Sequence, residues 1–240
     1  MIPKTIHYCW FGRGKMPELA LRCIDSWHKF LPEYEIVEWN EDNFDLDLFP
    51  YAREAYDHRK FAFVTDVVRL FALYNFGGVY MDTDVEVLKP LDAFLEDVAF
   101  SGFENETLVP TGIMASEKGG KWVEENLAYY QNRHFILPDG SMDMTTNVDT
   151  ITSYMLRKGL IQNNTKQTFE NLITIWPKDV FCPKSYRDGE IYLTDNTVTI
   201  HHFAGSWHSK SDDFKNSVRI ILGNKLFYRL SALRKKIWKR

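Results

Sequence analysis

The stretch from Tyr51 to Met81, "YAREAYDHRKFAFVTDVVRLFALYNFGGVYM", constrains the fold more than any other. Its pattern is largely helical as far as Gly77 and Gly78, a glycine pair that suits a helix C-terminus. The apolar run "VYM" then begins a strand at once. A helix that hands its chain straight to an apolar strand is half of a βαβ unit. Upstream, "TIHYCWF" reads as a buried first strand and "YEIVEW" as a second, rich in β-formers. Between them "MPELALRCIDSWHKFLPEY" has Pro17 near a helix start and Leu19, Cys23, Ile24 and Trp27 on one face. Strands alternating with helices predict an α/β fold with a Rossmann-like, mostly parallel central sheet flanked by helices.

Beyond Pro90 the pattern continues with shorter elements. "VAFSGFE" and "TGIMAS" read as strands, "GKWVEENLAYYQN" and "NVDTITSYMLRKGL" as helices, the latter ending on Gly159. Thr145 or Thr146 is placed to cap that second helix, while Asp143, Asn147 and Asp149 crowd its start. "NLITIWP" and "NTVTIHHFAGSW" read as late strands, with the turn-rich "CPKSYRDGE" between them. Two regions follow: residues 1–214 as one catalytic-sized domain, divided into halves at 1–95 and 96–214, and a tail at 215–240.

Composition narrows the class. A chain of 240 residues can bury a core without staples, and 45% hydrophobic against 26% charged residues excludes disorder and fibrous repeats. Cys9, Cys23 and Cys182 have no metal-type spacing, and "MIPKTIHYCW" has no secretory leader, so reduced thiols in the cytoplasm are expected. The net charge of -4 conceals a basic tail, since Lys215 to Arg240 holds lysines and arginines but no acid. There Val218, Leu222, Leu226, Leu230, Leu233 and Ile237 recur at spacings of three and four, an amphipathic basic helix. Such a helix can lie on an anionic membrane surface or pack on the domain; both stay open. The expected location is therefore cytoplasmic or peripheral on the inner face of the membrane. No nucleic-acid partner is expected of so acidic a body.

The chemistry concentrates in "VYMDTD". In open α/β sheets ligands gather at the carboxyl ends of strands, and this segment puts Asp82 and Asp84 at such an end. Residues i and i+2 of a strand project to one side, so both carboxylates can face one point. Left alone they repel; a hard divalent cation resolves the repulsion and would bridge nucleotide phosphates. An aspartyl-nucleophile phosphatase also begins Asp-x-Asp, but it calls for Thr or Val where this chain has Glu86. Asp66 and Arg69, three residues apart on the preceding helix, share a face, either as a structural ion pair or as donor-binding groups. Of the adjacent His201 and His202, strand alternation lets one readily join Asp84 on a metal.

Taken together, "IPKTIHYCWFG", "FAFVTDVVRLFALYNFGGVYMDTDVEVLKPLD" and "IHHFAGSW" resemble glycosyltransferase family 32, the sugar-binding region with the DXD motif. That family includes yeast Golgi mannosyltransferases and bacterial capsular polysaccharide transferases, the latter being the most similar group, and is related to large glucosylating toxins. The resemblance implies a GT-A fold, a nucleotide-diphosphosugar donor and a Mn²⁺ or Mg²⁺ ion. It implies that Asp84 ligates the metal while Asp82 contacts the donor and reaches the metal through water. Asp66, Arg69 and Tyr80 would line the donor site, and Trp10 would stack on the uracil of UDP beside backbone from Tyr8 to Phe11. His201 would be the further metal ligand, with His202 the alternative, and Ser206 and Trp207 would close over the β-phosphate. The implied activity is transfer of a hexose, with retention, from a UDP-sugar to a glycan or lipid-linked oligosaccharide. A nucleotide-sugar-binding protein without turnover is the rival expectation, and a metal-dependent phosphohydrolase the third. No acidic motif identifies a catalytic base.

Overall fold

The computed structural model describes residues 1–185 and 188–205. Strand β1 (Thr5–Cys9) leads to helix α1 (Glu18–Phe30), with Pro17 just outside its first turn, and then to β2 (Glu35–Trp39). On α1, Cys23 and Trp27 are buried and Ile24 packs beside them. The Trp27 indole N–H donates to the Val85 carbonyl at 2.7 Å, which ties α1 to the strand after the aspartates.

The long helical pattern proves to be two helices, α2 (Pro50–Asp57) and α3 (Phe61–Phe76). The break falls at Arg59, whose φ of 56° is left-handed and cannot continue an α-helix. Helix α3 is apolar on nearly every side, with Val64, Val67, Val68, Leu70, Ala72 and Leu73 fully buried, because it packs against both the sheet and its neighbouring helices. Gly77 ends α3 at a φ of 70°, its N–H donating to the Leu73 carbonyl. At Gly78 φ is 105°, and a Cβ would stand 2.5 Å from the Thr5 carbonyl oxygen. Only glycine lets β3 (Gly78–Met81) start this close to β1.

The main sheet has the order β2-β1-β3-β6-β5-β8-β7, with β5 (Ala99–Gly102), β6 (Ile113–Ser116), β7 (Gln167–Phe169) and β8 (Ile173–Trp176). Pairing is parallel across β2, β1 and β3 and between β5 and β8, and antiparallel on both sides of β6 and at β7. Five strands therefore run one way and β6 and β7 the other, a mostly parallel sheet. Strand β7 had no sequence signal, being three partly exposed residues on the sheet edge. Val79 and Met81 face one core and Tyr80 the other, as strand alternation requires.

Helices α4 (Lys121–Ala128) and α5 (Asn147–Arg157) complete the Tyr80 side of the core, together with α3. Thr146 caps α5 in a reciprocal box with Asp149. Apart from the main sheet, β4 (Val85–Val87) pairs antiparallel with β9 (Thr199–His201), next to the short α6 (Lys178–Phe181). Residues 1–95 supply the β2-β1-β3 side of the main sheet and later residues supply β6-β5-β8-β7. Ser206, Trp207 and the basic tail at 215–240 lie outside the described residues. Among the described residues no helix is long and apolar enough to cross a membrane.

Candidate active site

The site starts where β3 stops. The Asp82 N–H donates to the Gly112 carbonyl at 2.8 Å and the Val85 N–H to the Asp82 carbonyl at 2.9 Å, so Asp82 to Val85 form a tight turn from β3 into β4. Strand β9 closes on that turn, with His201 opposite Val85 and the His202 N–H donating to the Asp84 carbonyl at 3.0 Å. The Ala204 N–H donates to Asp84 Oδ2 at 2.7 Å. His201 Nε2 consequently lies 3.4 Å from Asp84 Oδ1 and 3.9 Å from Asp82 Oδ2.

One ligand atom from each of Asp82, Asp84 and His201 lies within 4.8 Å of the others. Adjacent ligands of an octahedral ion at about 2.1 Å stand about 3 Å apart and opposite ones about 4.2 Å, so small side-chain adjustments seat a divalent cation here. Gly112 leaves the space: a Cβ there would come within 3.1 Å of both Asp82 Oδ2 and His201 Cδ2. His201 is 8% exposed, its ring 4.2 Å from that of Phe203, and its Nδ1 is buried without a hydrogen-bond partner. Two carboxylates and an imidazole suit Mn²⁺ as a donor set. These residues fit the ion that the sequence implied.

Electrostatics point the same way. Burial alone would raise the Asp84 carboxyl, but the facing His201 and the Ala204 N–H outweigh it and hold it down at about 2. Burial alone would lower the His201 value, yet Asp84 raises it well above the ordinary histidine range. The pocket favours positive charge. His202 points elsewhere: its Nε2 lies 2.8 Å from Glu86 Oε2.

A second charged group lies behind the aspartates. Arg69 Nη2 is 3.1 Å from Asp82 Oδ1 and 3.4 Å from Asp66 Oδ1, and the guanidinium sits 4.6 Å above the Tyr80 ring. The Tyr80 hydroxyl donates to Asp82 Oδ1 at 2.8 Å. Burial pushes Asp66 up to about 6 against the pull of Arg69 and of Asn147. Asn147 grips Asp66 twice, its N–H donating to Oδ2 at 3.1 Å and its side-chain amide to the Asp66 carbonyl at 2.9 Å. Its Oδ1 remains buried and unpartnered. Asp66, Arg69, Tyr80 and Asp82 are thus one contiguous set, to which the structure adds Asn147.

The other candidates occupy the end of β1. Tyr8 is buried, its ring packed edge-on to Trp27 and its hydroxyl donating to Glu38 at 2.7 Å. Trp10 is partly exposed, and its indole N–H donates to the Gly14 carbonyl at 2.6 Å. Two residues at the site carried no sequence signal. Gly112 stands in an ordinary strand run, and Glu104 follows β5 in a loop, where Asp82, Arg69, His201 and Asp149 all act on its carboxyl.

Residues 17–101 match the family described as "Glycosyltransferase sugar-binding region containing DXD motif". Asp66, Arg69, Tyr80, Asp82 and Asp84 fall inside the matched stretch and His201 outside it. The chain is 31% identical over 142 residues to inositol phosphoceramide mannosyltransferase 3 of Schizosaccharomyces pombe, covering 56% of this chain and 40% of that protein. It is 34% identical over 103 residues to inositol phosphoceramide mannosyltransferase 2 of the same yeast, covering 40% of this chain and 28% of that one. The matched region thus spans less than half the length of these curated relatives. Among solved structures, "PaToxG Glycosyltransferase" is similar at a TM-score of 0.50 and 18% identity, over 66% of this chain and 70% of that chain. That likeness shows the fold, a GT-A arrangement of a mostly parallel sheet between helices. The match and the relatives support a glycosyltransferase.

Proposed function

We propose that this chain is a metal-dependent, retaining glycosyltransferase that moves a hexose from a UDP-sugar to a glycan or lipid-linked oligosaccharide during polysaccharide assembly. The convergence of Asp82, Asp84 and His201 at the carboxyl end of β3 carries the reading, with Arg69 and Asp66 directly behind it. Mn²⁺ held by these three side chains would supply positive charge against the departing diphosphate. The chain's own groups do the rest of the positioning. Arg69 and Tyr80 fix the Asp82 carboxylate through Oδ1, leaving Oδ2 toward His201. Asp66 and Arg69, paired at 3.4 Å beside Asp82, would hold donor-sugar hydroxyls, and the partly exposed Trp10 would offer a stacking face for uracil. Tyr8 supports that end of β1 from below, through Trp27 and Glu38. Ser206 and Trp207 would close on the β-phosphate, and the basic tail would bring the domain to the inner membrane surface where a lipid-linked acceptor lies.

The test is nucleotide release in the presence of Mn²⁺ from UDP-glucose, UDP-galactose, UDP-GlcNAc, UDP-GalNAc and GDP-mannose, with Asp84→Ala as control. Cleavage of a UDP-sugar by the intact site alone is expected. Cleavage of GDP-mannose instead would keep the class and overturn the base assignment. UDP and Mn²⁺ binding without any cleavage, acceptor glycans included, would leave a binding protein; failure to bind both would overturn the metal site.

A further inference from the structure

The loop that leaves β1 is fastened to the turn that leaves β2. The two strands pair in parallel as far as Cys9 opposite Trp39, so their carboxyl ends release the chain side by side. The loop begins with the Trp10 N–H donating to the Trp39 carbonyl at 2.9 Å. The Trp10 indole N–H then reaches forward to the Gly14 carbonyl at 2.6 Å, which makes residues 10–14 a closed unit. Trp10 rests against the core with part of its side chain left exposed, so the backbone of this unit decides how the indole is presented.

Glu41, in the turn after β2, holds the middle of the unit. Its Oε1 accepts from the Gly12 N–H at 2.6 Å and from the Tyr56 hydroxyl at 2.9 Å. Tyr56 packs on Phe61 with ring centroids 5.5 Å apart, and Phe61 lies so close to Gly12 that a Cβ there would overlap its ring. One carboxylate oxygen thus ties the loop to α2 and to the first residue of α3. A backbone N–H bonded to a carboxylate is stronger than one bonded to a neutral oxygen, and Glu41 is half-buried, where water competes less. The neighbouring Arg13–Asp42 pair is bidentate but exposed and adds little.

We propose that Glu41 is a positioning residue for the nucleotide base: by holding Gly12 it keeps residues 10–14 in the shape that presents the Trp10 indole. This rests on the Trp10 stacking proposed above. Glu41 itself touches no ligand. It orders in advance a side chain that the base would otherwise have to order on binding, and the entropy saved appears as affinity. The role needs an acceptor oxygen at the right reach from the turn, and it does not need the negative charge.

The experiment measures by titration calorimetry, in Mn²⁺, the affinity for UDP and for pyrophosphate, which has a diphosphate but no base. The variants are Glu41→Ala, Glu41→Asp, Glu41→Gln, Trp10→Ala and Trp10→Ala combined with Glu41→Ala. Glu41→Ala is expected to weaken UDP about tenfold and to leave pyrophosphate unchanged. Glu41→Asp keeps the charge but falls a methylene short of Gly12, and it should show the same selective loss. Glu41→Gln retains the acceptor oxygen and should stay within about twofold of the parent. Without the indole there is nothing to position, so the double variant should bind UDP as Trp10→Ala does. Three results would each overturn the proposal: equal losses for UDP and pyrophosphate, unchanged UDP affinity in both Glu41→Ala and Glu41→Asp, or a further loss in the double variant. If Trp10→Ala itself binds UDP as the parent does, the stacking reading is what fails, and this proposal falls with it.

Discussion

Arg69 and Asp82 are the structural hinge between the helix that precedes β3 and the pair of aspartates that follows it, at 3.1 Å from Nη2 to Oδ1. Both side chains are largely buried, and Asp66 shares the same guanidinium at 3.4 Å. Replacing Arg69 by Ala leaves two carboxylates facing each other without a counter-charge. The expected cost is about 3 kcal/mol in urea denaturation, with loss of nucleotide release. Asp66→Asn combined with Arg69→Ala should cost less than the two single changes added together, because removing the acid removes part of the reason for the base.

The two histidines give a sharper contrast. His201→Ala should abolish Mn²⁺ binding measured by titration calorimetry, as should Asp84→Ala. His202→Ala should leave binding intact, since its ring is engaged with Glu86. Equal losses from both histidine variants would show that the β9 register differs from the one described.

Gly112→Ala tests the packing around the aspartates. The new methyl would press on Val85 Cγ2, Asp82 Oδ2 and His201 Cδ2 at 3.0 to 3.1 Å. Metal affinity is expected to fall about tenfold while the fold persists, as for a change that tilts ligands without removing them. Loss of the folded state instead would place Gly112 among the structural glycines, with Gly78.

His7 makes a pH prediction. Its Nδ1 accepts from the Trp39 indole at 3.2 Å and its Nε2–H donates to the Gly77 carbonyl at 2.8 Å, so the folded protein holds a neutral ring. Burial lowers its value below the ordinary one of about 6.5, an effect larger than the opposing pull of Gly77. The unfolded chain therefore takes up the proton first. The contribution is fully present above about pH 6.5 and is lost as pH falls from there toward the folded value, at up to about 1.4 kcal/mol per pH unit. His201, with its raised value, works in the opposite sense, so the comparison is with His7→Gln: between pH 7.5 and 5.5 the parent should lose more stability than the variant.

The elements that a single segment determines were legible. Pro17 and the Cys23–Trp27 face gave α1, the pair Thr145–Thr146 gave the start of α5, where Thr146 proves to be the cap, and Gly77 with Gly78 gave the passage into β3. Helices α2 and α3 ran together in the sequence because Arg59, where the backbone turns left-handed, carries no breaker signature. The antiparallel insertion of β6 between β3 and β5 was equally hidden, since strand direction depends on partners far along the chain. At the site the place of Asp82 and Asp84 at the end of β3 and the divergence of His201 and His202 could be read from the sequence, whereas the aspartates meet through a tight turn and not by the strand alternation expected of them. Glu104 and Gly112 could not, because what distinguishes them is who stands opposite; Asn147 was legible only as one of the polar residues crowding the start of α5, without its hold on Asp66.

The pairing of β4 with β9 brings Val85 against His201, residues separated by more than a hundred positions. During synthesis the two carboxylates would leave the ribosome long before the imidazole, the Ala204 N–H and the His202 N–H that complete their surroundings. A nascent chain stopped short of β9 would hold two like charges at the end of an otherwise assembled strand and would bind the ion poorly. On the proposed reading metal capture would wait on completion of the domain, and a truncated product, however well its first strands pair, would lack the His201 side of the centre.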